Sequence, residues 1–425
     1  MRITRKEHQI SLSDINPNVL TILTSLQEAG HQAYLVGGSV RDLFLNLTPK
    51  DYDIATDARP EEIRAIFRNC RLIGKRFRLA HIFFGRDIFE VATFRANHPE
   101  DETPDARLSE AGMLLRDNIY GSLADDAWRR DFTVNALYFD NQDLSILDHT
   151  GGMRDLKGQV IRVLGDPAMR FKEDPVRMLR AIRLSAKLKF VIEEHASQEI
   201  IHNADRIRYA SPARLFDEII KLFYCGESLR SLHLFRTHHL FGKLFPQSDH
   251  TLVNHEKSEY FWSLIQKSCE NTDARVQQKL SLNPAFLFAV LLWGPLQEKI
   301  KELQAEGHRP YQATQLAIHK VIRNQQAVIN IPKRFTTIMQ EIWNMQHPLE
   351  KYPNKKARSL FLRPRFRAAY DFLMLRMESG DSSLKPSVDW WTKYQSSPEA
   401  KLILSAHREG IKNGSKNVRK DGTEE

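Results

Sequence analysis

The stretch YLVGGSVRDLFLNLTPKDYDIATD, Tyr34 to Asp57, sets the tightest limit on what this chain can be. It reads as an apolar strand, a Gly-Gly turn, a short helical run and a second strand that carries two acids. Side chains alternate across a strand, so Asp51 and Asp53 are expected on one face and Tyr52 on the other. Like charges held that close raise each other's pKa or demand a cation, and hard carboxylate oxygens suit Mg²⁺. Solvated acids at a strand edge would be the bland alternative for the pair alone. The residues upstream weigh against it. Gly37-Gly38-Ser39 lets bare backbone amides approach an anion at the turn into the helix, and Arg41 adds a fixed cationic fork. Gly-Gly-Ser by itself marks any turn. Joined to Arg41-Asp42 and followed nine residues on by the aspartate pair, it specifies a phosphate cradle beside a carboxylate pair. That combination implies metal-assisted phosphoryl or nucleotidyl transfer.

A two-metal site with Mg²⁺ requires a further acid, and two are available. Glu90, in the alternating run RDIFEVATF, joins the pair if its strand lies beside DYDIAT; Asp131, in RRDFT, is the other. The sequence leaves both open, and a salt-bridged structural acid is the plain alternative for each. A second chemical signal follows in EDPVRMLRAIRLSAKL. Asp174 and Pro175 read as the cap and first residue of a helix. Arg177, Arg180 and Arg183 then recur along one face while Met178, Leu179 and Ile182 turn to the core. Such a stripe can be a solvated face. An acid beside an arginine at a helix start also offers an acceptor and a donor to the edge of a nucleobase, which is the reading preferred here.

Around these motifs the order of periodic segments gives an α+β chain. A helix is expected over Asn16–Glu28, with Gly30 as its stop, and another in PEEIRAIFRN. Strands are expected in AYLVGG, DYDIAT, RLAHIFFG, RDIFEVATF and FTVNALYFD, forming a small mixed sheet. Ala96 to Asp126 is polar, acidic and without a sustained period, which suggests a mobile loop or lid. After Gly151-Gly152 amphipathic helices dominate to about Gln395, and the polar, basic run from His407 reads as a disordered tail. At 425 residues the chain exceeds a single core. The expected division is an α+β unit carrying the aspartate pair at 1–150, helical segments at 151–225 and 226–400, and a tail at 401–425.

Composition narrows the setting. Hydrophobic content of 42% and charged content of 27% fit a folded body, and a net charge of +9 favours polyanionic partners unless it serves only solubility. Cys70, Cys225 and Cys269 stand far apart, with no spacing for a zinc site or a disulfide framework, which fits a reducing cytosol. The first residues lack the apolar core of a signal peptide, and Pro284–Pro295 is too short to span a bilayer and reads as a buried helix. A cytoplasmic monomer without a membrane span is expected.

GGSVRD with KDYDIAT, EVATFR, RRDFTVNAL, DHTGGMRDL, EDPVRMLRAIR and SPARLFDEIIKLF occur in the order seen in the bacterial poly(A) polymerases and tRNA CCA-adding enzymes of the class II nucleotidyltransferases. The chain resembles that family over nearly its whole length. LIGKRFRLAHIFFG, NPAFLFAVLLWGPL, IPKRFTTIMQEIW and RPRFRAAYDFLMLR look like the poly(A) polymerase form. The resemblance implies that Asp51 and Asp53 hold catalytic Mg²⁺ and that Gly37, Gly38 and Arg41 sit by the triphosphate. It implies that the RRD motif, with Arg130 and Asp131, makes ribose or catalytic contacts. It also implies that Asp174 and Arg177 read the base, with Arg180 on the same helix, and that the helix from Arg214 to Leu222 belongs to the neck. The paired His-Asp pattern of a phosphohydrolase site is not supplied by His238-His239 or Asp249-His250, which read as structural.

The function so implied is template-independent transfer of AMP from ATP to the 3′ ends of RNA, the polyadenylation that promotes RNA turnover. A tRNA CCA-adding nucleotidyltransferase is the rival enzyme. An RNA-binding protein that kept the fold without the chemistry is the rival from another class, and the retained acids Asp51, Asp53, Glu90 and Asp131 argue against it. Lys333-Arg334, Lys355-Lys356 and the arginines from Arg363 to Arg367 are expected to track RNA phosphates, with core packing the better role for Phe361 and Phe366.

Overall fold

The computed structural model describes residues 1–74, 78–96, 106–108, 114–117, 119–254, 256–403 and 405. The chain forms two compact units, Met1–Ala210 and Ser211–Glu425, with the boundary falling inside the helical segment expected at 151–225.

The first unit is built on a sheet. In chain order its strands are β1 (Arg2–Ile3), β2 (Ala33–Val36), β3 (Asp53–Thr56), β4 (Cys70–Ile73), β5 (Leu79–Phe84) and β6 (Asp87–Thr93). They are followed by β7 (Ala106–Leu108), β8 (Leu114–Asp117), β9 (Leu137–Phe139), β10 (Ile146–Asp148), β11 (Val160–Ile161) and β12 (Val191–Ile192). Eight of them form one sheet in the order β1-β10-β9-β2-β3-β6-β5-β4. It is mixed as expected: β3 and β6 run parallel, and every other pair in it is antiparallel. Parallel neighbours need a crossover, and the helix α3 (Pro60–Ile66) together with β4 and β5 lies between β3 and β6 in the chain.

Helix α1 (Pro17–Glu28) starts where proline occupies a first-turn position and the Asn16 side chain accepts from the Asn18 amide at 2.9 Å. Val19, Ile22, Leu23 and Leu26 recur at helical spacing and are fully buried. Later helices of this unit are α4 (Leu123–Trp128), α5 (Gly152–Lys157), α6 (Pro167–Glu173), α7 (Val176–Leu188) and α8 (Glu194–His202), while α2 (Gly38–Phe44) follows β2 directly.

The structure differs from expectation in four places. The helix expected through Asn69 stops at Ile66, and Cys70–Ile73 pairs with Leu79–Ile82 as the sheet's edge strand. β1 and β10 were not anticipated, because two or three residues carry no period; only pairing makes them strands. Much of the expected lid, Ala96 to Asp126, lies outside the described residues, but within it β7 and β8 form an antiparallel hairpin and α4 begins at Leu123. The expected cap at Asp174 ends α6 instead, Pro175 is the cap residue of α7, and the Asp174 Oδ1 accepts from the Val176 amide at 3.3 Å.

The second unit is helical, beginning with α9 (Pro212–Phe223), which includes the helix expected at Arg214–Leu222. The apolar run at Pro284 forms a buried helix that ends at Leu291, and a new helix starts at Trp293, which takes in Pro295. Among the described residues no helix is long and apolar enough to cross a membrane. Phe361 and Phe366 are 8% and 4% exposed and pack in a core with Trp391, which bears out their reading as core. The expected tail from His407 lies outside the described residues.

Candidate active site

Strand register brings the acids together. Asp53 lies opposite Val36 of β2 on one side and Glu90 of β6 on the other, while Val36 also pairs with Tyr138 of β9 and Glu90 with His81 of β5. Paired residues point to the same face, so Tyr138, Val36, Asp53, Glu90 and His81 form one row across five strands. Val36, Tyr138 and Ala55 pack under Ala127 of α4, which covers one end of the row. Asp53 and Glu90 lie beyond that cover and stay open to solvent. Asp51 is also exposed but precedes β3, so strand alternation does not set its direction. Tyr52 also precedes β3, and its hydroxyl donates to the Asp14 carbonyl at 3.3 Å.

Asp53 is the electrostatic centre. Although it reaches solvent, the protein packed around it desolvates its carboxyl and raises it above the ordinary aspartate range, and Glu90 and Asp51 push the same way against Arg130 and Arg180. A carboxylate so crowded by its own kind gains from a divalent cation. Among the described residues, no three acids, histidines or cysteines form a finished metal cage. Mg²⁺ is usually held by one or two carboxylates and completes its shell with water and substrate phosphate oxygens. Asp51, Asp53 and Glu90 are the oxygen donors with the right chemistry.

The turn beside them is built for close approach. Gly37 has φ +81° and ψ −136°, a combination that glycine alone adopts readily. A Cβ there would stand 3.5 Å from the Arg130 Nη1 and 3.7 Å from the Asp53 Oδ2, so this glycine directly adjoins both charged groups. Arg41, expected as a phosphate ligand, is buried and engaged. Its Nε and Nη2 donate to the Asp42 Oδ1 at 2.9 and 2.6 Å, and its Nη1 donates to the Asn135 Oδ1. The guanidinium still lies against the turn, since a Cβ on Gly38 would stand 3.3 Å from the Arg41 Nη2.

The RRDFTVN loop closes the site from the β9 side. Asp131 accepts from the Phe132 amide at 2.9 Å and the Asn135 side-chain amide at 3.1 Å, and its Oδ2 pairs with the Arg180 Nη2 at 2.6 Å. Burial works against its charge, but Arg180, Asn135, Arg177 and the Phe132 amide outweigh it and hold the carboxyl below the usual range. Asn135 thus joins Arg41 of α2 to Asp131. At the far end of α7 the Lys187 ammonium pairs with the Asp42 carboxylate at 3.0 Å, so α7 is tied to the loop and to α2 at two points.

The arginines on α7 do not form a solvated stripe. Arg177 Nη1 donates to the Glu173 carboxylate and to the Arg170 carbonyl at 2.8 and 2.9 Å, and Met178, Leu179 and Ile182 are buried as expected. Arg170, which the sequence reading passed over, bridges α6 to the loop by donating to the Arg129 and Arg130 carbonyls at 2.6 and 2.7 Å. Burial presses the Arg129 guanidinium below its ordinary value, and Arg95, Arg130, Arg170 and Arg177 add like-charge repulsion. Five guanidinia crowded in this way favour the arrival of a polyanion. The doubled arginine of RRD and the Arg170 upstream of EDP were the available signals.

A second glycine completes the scaffold. Gly152 of DHTGG packs so tightly that an added Cβ would lie 2.1 Å from the Thr133 carbonyl oxygen. Asp148 accepts the amides of Thr150, Gly151, Gly152 and Met153 at 2.8 to 3.0 Å, which fixes this turn under the RRDFTVN loop. His238, read as structural, is buried with its Nδ1 2.8 Å from the Leu234 carbonyl oxygen.

The chain is similar to known proteins over most of its length. Residues 33–162 match the family model described as the poly A polymerase head domain. Residues 189–252 match a probable RNA and SrmB-binding site of polymerase A, and residues 306–422 match the polymerase A arginine-rich C-terminus. The chain is 43% identical over 409 residues to poly(A) polymerase I of Salmonella typhimurium, covering 95% of this chain and 88% of that protein. It is 36% identical over 224 residues to a CCA-adding enzyme of Lactobacillus helveticus, covering 53% of this chain and 54% of that protein. In fold it is similar to the Bacillus stearothermophilus CCA-adding enzyme solved with CTP, with a TM-score of 0.59 at 23% identity, covering 90% of this chain and 83% of the other.

Proposed function

This chain belongs to the poly(A) polymerase I family, and from that premise we propose that it is a polynucleotide adenylyltransferase that adds AMP from ATP to RNA 3′ ends without a template, releasing pyrophosphate. The observation that carries the reading is the meeting of Gly37, Asp53 and Arg130 beside a crowd of arginines in one unit. A triphosphate needs close backbone approach, cations for its oxygens and carboxylates for its metal, and these three supply one each.

In this reading Asp51 and Asp53, with Glu90 beside them, would hold Mg²⁺, which when bound acidifies the attacking 3′ hydroxyl and offsets charge on the phosphates. Gly37 and Gly38 admit the triphosphate to the turn, with Arg41 behind it and Arg130 at its side. Asp131 is a positioning group here: its carboxylate orients Arg180 and Asn135. Asp174 and Arg177, where α6 gives way to α7, present an acceptor and a donor for the adenine edge. The finer division into head (1–150), neck (151–225), body (226–400) and tail (401–425), a monomeric state and a cytoplasmic location belong to the same proposal.

CCA addition is the alternative. The similarity to a poly(A) polymerase I extends over 95% of the chain against 53% for a CCA-adding enzyme, which favours polyadenylation. The test is to supply each nucleotide separately to an RNA primer and to a tRNA lacking its terminal CCA, with Mg²⁺. Long extension with ATP alone supports the reading; two cytidines followed by one adenosine overturns it in favour of CCA addition, and no incorporation overturns both.

A further inference from the structure

The row of residues that carries Asp53 also carries Tyr138, a fully buried tyrosine that the chemistry above does not use. Its hydroxyl donates to the Asp126 Oδ2 at 2.6 Å and accepts from the Arg130 Nε at 2.9 Å. Arg130 Nη2 donates to that same Asp126 oxygen at 2.9 Å, which closes a triangle of three groups. The guanidinium also lies 5.2 Å from the centre of the Tyr138 ring. Asp126 is 6% exposed, sits on α4, and accepts the Arg95 amide with its other oxygen at 3.2 Å, so it is held in place from the sheet. Burial, with Asp126 beside it, pushes the Tyr138 hydroxyl above its ordinary range and keeps it protonated as a donor.

An arginine has a planar fork of five N–H groups. Here the Nε edge and one Nη2 hydrogen are fixed by Tyr138 and Asp126, so the plane is locked. The remaining Nη1 end is the one that meets the turn at Gly37, 3.5 Å from where a Cβ would stand, beside the Asp53 carboxylate. We propose that Tyr138, acting with Asp126, is a positioning residue for nucleotide binding: it aims the Nη1 edge of Arg130 at the phosphates that enter between Gly37 and Asp53. The inference rests on the proposed function only in taking the ligand to be a nucleoside triphosphate. A preset guanidinium loses less freedom on meeting a phosphate than a mobile one, so the benefit falls on nucleotide affinity.

The experiment is a double-mutant cycle on the full chain, read first as equilibrium binding of ATP with Mg²⁺ and then as KM against kcat for AMP transfer. Tyr138→Phe keeps the ring and its packing. It is expected to weaken ATP binding by about tenfold, the scale of one lost charge-assisted hydrogen bond, raising KM for ATP far more than it lowers kcat. In an Arg130→Lys background the same change is expected to add less than about twofold, because the residue it acts through is already altered. Asp126→Asn, nearly isosteric, tests the same triangle should Tyr138→Phe fail to fold. Unchanged ATP affinity in the folded single variant, or effects that simply multiply in the double, would overturn the proposal. Because ATP binding needs no RNA, a parent protein that binds ATP but adds no AMP to RNA sinks the functional reading and leaves this test standing.

Discussion

Asp131 and Arg180 are bound to each other, with 2.6 Å between the Asp131 Oδ2 and the Arg180 Nη2. The pair separates two acids that look equivalent in the sequence. Asp131 has its charge answered by a guanidinium within the protein; Glu90, opposite Asp53, faces solvent and another acid, with the His81 Nε2 3.4 Å from its Oε1. The role of Asp131 is therefore expected to register in stability as well as in activity.

Asp131→Asn is expected to destabilise the fold at neutral pH by roughly 1–3 kcal/mol, the scale for a buried hydrogen-bonded charge that loses its partner. The folded carboxyl lies below its ordinary value, so its contribution is present above the unfolded value of about 3.9 and is lost as pH falls through the folded one. Urea melts of parent and variant should converge as pH falls below the ordinary aspartate value. A gap that persists there rules out the ion pair as the source.

Asp53→Asn is expected to behave in the opposite sense. The folded carboxyl is raised, so its ionised form costs stability above the unfolded value, and that penalty grows as pH rises through the folded one. The variant should melt no lower than the parent at neutral pH while AMP transfer falls at least about a thousandfold, as for a group acting on the developing charge. Near-parental transfer by a folded Asp53→Asn protein would falsify the assignment of the metal site.

Gly37→Ala meets two obstacles at once: a backbone conformation with φ +81° that strains an L-residue, and the Arg130 and Asp53 side chains at 3.5 and 3.7 Å. A loss of about 1–3 kcal/mol in unfolding free energy is expected, together with a marked rise in KM for ATP. Gly30→Ala, at another positive φ with nothing near its Cβ, should share the first effect without the second.

Nucleotide choice should respond to Asp174. Replacing it with alanine removes an acceptor at the α6–α7 junction and is expected to reduce the preference for ATP over CTP by about tenfold to a hundredfold, the value of one base-edge contact. Competition between labelled ATP and CTP on one RNA primer measures this. Selectivity retained in full would move base reading away from this junction.

Much of the site was legible because its chemistry is local. Gly-Gly-Ser-Val-Arg-Asp, the aspartate pair and the arginine-bearing helix are short segments whose turn, strand and helix periods are written in adjacent residues, and the sheet core followed from alternating apolar runs. No period marks β4, and β7 and β8 fall in the stretch expected as a loop or lid, since short strands acquire their identity from a partner the period does not name.

The sequence by itself determined which groups the candidate site draws on: two acids one residue apart, a glycine turn, cations at helical spacing. The tertiary structure alone decided how they are shared out. Parallel pairing of β3 with β6 set Glu90 beside Asp53, the fold of the RRDFTVN loop gave Asp131 to Arg180, and burial turned Arg41 toward Asp42 and Asn135. The reason is physical. A side chain's type is fixed along the chain, but the partner that answers its charge lies across strands or on another helix, and a buried charge takes whichever partner the packing brings within reach.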